Sequence, residues 1–131
     1  MFKITPEIKS AMQGIIPSTL VTCSADGTPN VAYISQVYYV DEMHIALSHQ
    51  FFSKSIRNIS ENPRMCVSIV NPETFQMWRI DGDFLRSETE GKTFEEMNAQ
   101  LEAIATMTGM EDVFKLKSAD IYKIVSLEEI A

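Results

Sequence analysis

The stretch Ser48-His49-Gln50-Phe51-Phe52-Ser53-Lys54-Ser55-Ile56-Arg57-Asn58 gathers the groups that an anion would need. Its pattern predicts a strand that ends near Ser48 and a short helix over 53–62, stopped by Pro63. Ser53 suits the cap of that helix, Lys54 and Ser55 fall in its first turn, and Arg57 follows. A helix start offers unsatisfied backbone N–H groups and the positive end of a dipole, so these side chains can hold a dianionic phosphate. The same residues also describe a capped surface helix with solvated charges, and this is no Walker loop.

Two further places could carry chemistry. Ser35-Gln36-Val37 puts two polar residues into an apolar strand. A buried Gln36 needs partners for both halves of its amide, from the backbone or from the edge of a heterocycle. Trp78, the one tryptophan, can cover a flat ring or pack into the core, and Arg79 beside it can meet a ligand anion or pair with Asp81 or Asp83. Other chemistry is weakly signalled. His44 and His49 with the distant Cys23 and Cys66 do not have metal spacing, and no G-x-S-x-G or H-E-x-x-H occurs.

The elements that must position these residues follow from local pattern. Thr5-Pro6-Glu7 opens a short helix with Ile8 and Met12 on one face. Leu20–Cys23 reads as a strand, and Ala25–Pro29 as a turn. Asn30–Val40 alternates with both faces mostly apolar, which predicts one central strand. Met43–Ser48 returns beside it. Arg64–Val70, Phe75–Ser87 with a bulge at Gly82, and Ile121–Val125 complete the strands. Thr93-x-x-Glu96 predicts a capping box that opens a helix carrying Phe94, Met97, Leu101 and Ile104, with Gly109 as its stop. About six strands in hairpin order disfavour a doubly wound parallel sheet. They predict a mainly β protein: a small antiparallel barrel with peripheral helices.

Composition bounds the class. One hundred and thirty-one residues, 45% hydrophobic and 22% charged, make one ordinary globular domain over 1–131. The net charge of −7 resides in residues 71–131, while residues 1–70 balance. That excludes the basic face of a general nucleic-acid binder but permits one local anion site. No apolar run suggests a membrane span and no secretory signal is visible. A cytoplasmic protein with reduced, buried cysteines is expected.

With these residues in place, the chain resembles the pyridoxamine 5′-phosphate oxidase-like family of FMN-binding split-barrel proteins. The likeness is carried by Pro29-Asn30-Val31-Ala32-Tyr33-Ile34-Ser35-Gln36-Val37, by Val40-Asp41-Glu42, and by His44-Ile45-Ala46-Leu47-Ser48 with Gln50-Phe51-Phe52, Lys54-Ser55, Arg57-Asn58 and Glu61-Asn62-Pro63. Trp78-Arg79-Ile80-Asp81-Gly82 and Ala119-Asp120-Ile121-Tyr122-Lys123-Ile124 look like later strands of the same family. The resemblance implies a six-stranded antiparallel split β-barrel that forms a homodimer with FMN in the groove between subunits. It implies Ser53, Lys54 and Ser55 at the phosphate, helped by Arg57 or Asn58, and Ser35, Gln36 and Val37 along the isoalloxazine edge. Ser48 and Gln50 fall near the ribityl chain, and Trp78 reaches the flavin from the partner. The activity implied is flavin-dependent oxidation or reduction of a small molecule. A non-enzymatic flavin sensor or carrier, or a barrel using F420 or haem, is the alternative. The sequence departs from the oxidases where Ser53-Lys54 replaces an Arg-Lys pair and Met77 replaces a glutamine.

Overall fold

The computed structural model describes residues 3–12, 16–34, 36–49, 53–109 and 116–130. In chain order these form α1 (Pro6–Ala11), β1 (Ser18–Cys23), β2 (Pro29–Ile34), β3 (Val37–Asp41), β4 (His44–His49), α2 (Ser53–Glu61), β5 (Arg64–Val70), β6 (Met77–Glu88), α3 (Lys92–Thr108) and β7 (Ser118–Glu129). The seven strands make one antiparallel sheet in the order β2-β1-β5-β6-β7-β4-β3.

That order corrects the expectation of one central strand over Asn30–Val40. The segment is two strands, β2 and β3, and they lie at opposite edges of the sheet. Only residues 35 and 36 separate them. Three residue steps of chain span at most about 11 Å. The two edges must therefore approach each other, and the sheet rolls into a barrel. The apolar character that suggests a central strand has a different origin in each half. In β3, Tyr39 packs on the barrel interior while Tyr38 and Val40 pack under α3. In β2, Ile34 points inward, while Val31 and Tyr33 are 64% and 75% exposed. The break also makes the expected six strands seven.

The barrel interior holds the main core, with Leu20, Ile45, Met65, Val67, Ile80 and Ile124 fully or almost fully buried. Alternation is clean in β5, where Met65, Val67 and Ile69 point inward. α1 closes one end with Ile8 and Ala11. Thr5 caps it as expected, its Oγ1 accepting from Ile8 N at 3.4 Å, with Pro6 in the first turn. Lys9 Nζ sits 4.1 Å from the Tyr39 ring centroid, and Ile4 N donates to Glu42 Oε2 at 3.0 Å, so α1 is tied to the β3–β4 hairpin.

A second, smaller core lies outside the barrel, where α3 sets Met97 and Leu101 on Ala46, Ala119 and Ile121. The expected capping box does not form. The helix starts at Lys92, so Thr93 is already inside it. The cap is Gly91 at φ 96°, with no side-chain bond. Glu96 instead accepts from the Tyr38 hydroxyl on β3. Burial, and then this carboxylate, push the Tyr38 phenol up to about 12. Gly109 ends the helix in the left-handed conformation, as expected. No described helix is long and apolar enough to cross a membrane.

Gly82 sits at a register shift between β6 and β7, as its place in the long strand suggests. A Cβ there would lie 2.9 Å from Met65 Cε and 3.1 Å from the Lys123 carbonyl oxygen. The methionine can yield, but the backbone oxygen cannot move without the bulge. Gly82→Ala should cost about 1–3 kcal/mol in urea unfolding; an unchanged midpoint would show that the bulge has room.

Cys23 and Cys66 are free thiols, half-buried rather than buried, on β1 and β5 around an outer cavity of about 280 Å³ with Arg64 and Arg79. Burial, with the Asp81 carboxylate as the next cause, pushes the Cys66 thiol up to about 11. Its thiolate is therefore scarce at pH 8. Iodoacetamide should modify Cys66 roughly a hundredfold more slowly than an unperturbed thiol, read by mass spectrometry of the peptide; modification at the free-thiol rate would contradict this environment.

Candidate functional site

The site is built around α2. The helix stops at Pro63, which cannot continue the hydrogen-bonded ladder. Asn62 N closes the last turn on Asn58 O at 2.7 Å, and Asn62 Oδ1 accepts from Arg64 N at 3.2 Å as β5 begins. The side chains divide between two faces. Ser55 and Asn58, both buried, face β1 and β2. Asn30 Nδ2 donates to Ser55 Oγ at 3.3 Å, and Asn58 Nδ2 donates to Thr22 Oγ1 at 3.1 Å. These bonds set the helix at a fixed height on the first hairpin.

The β1–β2 turn is held as firmly. The carboxylate of Asp26 accepts from Thr28 N at 3.1 Å and Thr28 Oγ1 at 2.8 Å, and also from Ser24 Oγ. The Ser24 hydroxyl, then the Thr28 hydroxyl and backbone N–H, hold this carboxyl at about 2. Glu61, at the end of α2, accepts from Ala25 N at 3.0 Å. Helix and turn thereby frame a cavity of about 390 Å³ lined by Ser24, Thr28, Asn30, Arg57, Asn58 and Glu61. Arg57 is its cation. Among the described residues, no carboxylate lies within ion-pair distance of that guanidinium. Glu61 is the opposing charge, and its Oε1 is already engaged by the turn.

A second group forms where β2 hands over to β3. Ser48, fully buried on β4, donates through its backbone N to Gln36 O at 3.3 Å, and through Oγ to the same oxygen at 3.5 Å. Val37 pairs with Leu47 and is buried. Gln36, 2% exposed, turns its amide toward α3, with Nε2 donating to Met97 O at 3.2 Å and Gln100 Oε1 at 2.9 Å. Those acceptors fix which half of the amide is nitrogen. Gln36 Oε1 is then buried with no hydrogen-bond partner among the described residues.

The residues expected from sequence thus fall into distinct places. Ser55, Arg57 and Asn58 come together at the first hairpin. Gln36, Val37 and Ser48 come together at the β2–β3 handover. Ser53 and Lys54 lie in the first turn of α2, with side chains outside the described residues, as are Ser35 and Gln50. Trp78 is 6% exposed and packs in the main core, so in this chain it shows no open ring face for stacking. Arg79 pairs with Asp81 at 3.0 Å. Asn30 and Thr22 were not among the expected site residues. Their signal was a polar residue on each strand beside the first turn, where Thr22 pairs with Asn30, and turn chemistry explains it equally well. Among the described residues, no three His, Cys, Asp or Glu side chains converge as a metal-ligand set.

Known proteins share this architecture. An FMN-binding protein from Syntrophomonas wolfei subsp. wolfei superposes with a TM-score of 0.75 at 20% identity, over 90% of this chain and 79% of that one. An F420 reductase superposes at 0.65 and 15% identity, over 92% and 94% of the two chains. HutZ, the haem storage protein from Vibrio cholerae, superposes at 0.61 and 18% identity, over 98% and 95%. At these identities the likeness is one of fold. The profile of one family, described as pyridoxamine 5′-phosphate oxidase, matches residues 4–124. Over nearly its whole length, then, this chain belongs to the pyridoxamine 5′-phosphate oxidase family, and its fold is that family's split barrel.

Proposed function

We propose that this protein binds FMN as a homodimer, with the flavin in the groove between subunits, and acts as a flavin-dependent oxidoreductase on a small molecule. The observation that carries the reading is the cavity on the polar side of α2. It offers an exposed guanidinium, without a carboxylate partner among the described residues, beside the Asn30 amide, which gives one N–H to Ser55 and keeps the other. A guanidinium takes a phosphate through two parallel N–H donors, and the second Asn30 N–H is a neutral donor beside it.

The second support is the orphaned oxygen of Gln36. A buried acceptor without a donor is costly, and a heterocyclic ring N–H is the kind of donor that satisfies it. Ser48 keeps the Gln36 backbone in register with β4, and α3 holds the amide at the orientation that presents this oxygen. When bound, the flavin supplies hydride or electron transfer. The residues of the chain contribute binding, orientation and exclusion of water. The S. wolfei protein supports FMN; the F420 reductase and HutZ make F420 and haem the ligands to run beside it.

The test is titration of the purified protein with FMN, followed by flavin fluorescence and absorbance, with F420 and haem in parallel. Arg57→Ala should weaken FMN binding by about 1.5–3 kcal/mol, the range for a hydrogen bond to a charged group. An unchanged dissociation constant would remove Arg57 from the site. Reduction of the bound flavin by NAD(P)H, with the electrons passed on, distinguishes an enzyme from a carrier. In sedimentation the protein should run at about twice its chain mass of 14.8 kDa; a monomer with full FMN affinity would contradict the shared groove.

A further inference from the structure

The other face of α2 covers a second cavity. It measures about 200 Å³ and is walled by Ile56, Ile59 and Phe84, with His49, Ser87 and Asp120 at its polar end. Asp120 is 3% exposed. Its Oδ1 accepts from Ser87 Oγ and from Ser118 Oγ, both at 2.7 Å. Since Ser118 spends its proton on that carboxylate, its oxygen must be the acceptor toward His49 Nδ1, 3.2 Å away. The imidazole therefore carries its proton on Nδ1.

The charge is not balanced by this arrangement. Among the described residues, no lysine or arginine lies within ion-pair distance of Asp120, and both of its hydrogen bonds fall on Oδ1 while the residue lines the cavity. The negative charge is felt nearby: the Tyr122 phenol is pushed up by burial and then by this carboxylate. A largely buried carboxylate that lines a cavity and has no cationic partner is a place where a cation in that cavity is favoured. One carboxylate and one imidazole are too few for a metal ion, and no set of three such ligands occurs among the described residues. The rest of the wall is aliphatic and aromatic, which suits a ligand with an apolar body.

We propose that this cavity is a binding site for a small aliphatic ammonium ion, seated on Ile56, Ile59 and Phe84 with Asp120 as its counter-charge. It lies across α2 from the Arg57 cavity and does not depend on the flavin reading. An alcohol of the same shape leaves the carboxylate's charge uncompensated, and a carboxylic acid anion is repelled by it.

The experiment is a ¹H–¹⁵N NMR titration of the full chain at pH 8.5, where an alkylammonium is still charged and an ordinary histidine is neutral. The probes are isobutylammonium, isobutanol and isobutyrate. Isobutylammonium should give saturable shifts at the amides of Ser87, Ser118 and Asp120, and the other two should give none at the same concentration. Asp120→Asn, which keeps shape and an acceptor, should weaken the ammonium about tenfold or more, about 1.4 kcal/mol. Ile56→Trp, which fills the cavity from its half-buried rim, should abolish the shifts while the rest of the spectrum persists. Isobutanol binding as well as the ammonium, full affinity in Asp120→Asn, or no saturable shift in the unaltered protein would each overturn the proposal. The three-probe comparison decides even where a variant does not fold.

Discussion

The structure depends on a constraint of chain continuity. β2 and β3 are the two outer strands of the sheet, and the chain passes between them in residues 35 and 36. A flat seven-stranded sheet would hold those strands six inter-strand spacings apart, roughly 28 Å at 4.7–4.9 Å each. So short a link cannot cross that distance, so the sheet closes. Closure gives the apolar faces of β1, β4, β5, β6 and β7 a common interior, and it leaves one end for α1 to fill.

Within that frame, α2 separates two environments. Its Ser55 and Asn58 face the first hairpin through hydrogen bonds, and its Ile56 and Ile59 face β6 and β7. One side presents a guanidinium to an open cavity, and the other closes over a buried carboxylate. A nine-residue helix therefore holds its own guanidinium apart from the carboxylate that β7 sets against its other side. Lateral bonds to Thr22 and Asn30, together with the Glu61 bond to the turn, keep the two sides distinct.

Local chemistry was legible in the sequence where it is settled locally. The Thr5 cap, the stop at Gly109, the alternation of Arg64–Val70 and the bulge at Gly82 follow from residue type and near neighbours. Thr93-x-x-Glu96 misled because a cap depends on where the helix starts: α3 starts at Lys92, and Glu96 is engaged by Tyr38, 58 residues away. The stretch Asn30–Val40 misled because two-sided burial in β3 and an exposed apolar face in β2 give the same run of letters. The Ser55, Arg57 and Asn58 group was found because its members fall within four residues of one helix. Asp120 was not, because a single acid in an apolar strand gains meaning only from Ser87, 33 residues away, and from His49, reached through Ser118.

The central claim is that FMN lies against the Arg57 side of α2 and reaches Gln36. Amide hydrogen exchange of the protein with and without FMN tests it directly. The account predicts added protection at Asn30, across 55–58 and at Gln36, with the β5 interior unchanged. Protection confined to other strands, with those residues exchanging as before, would contradict it.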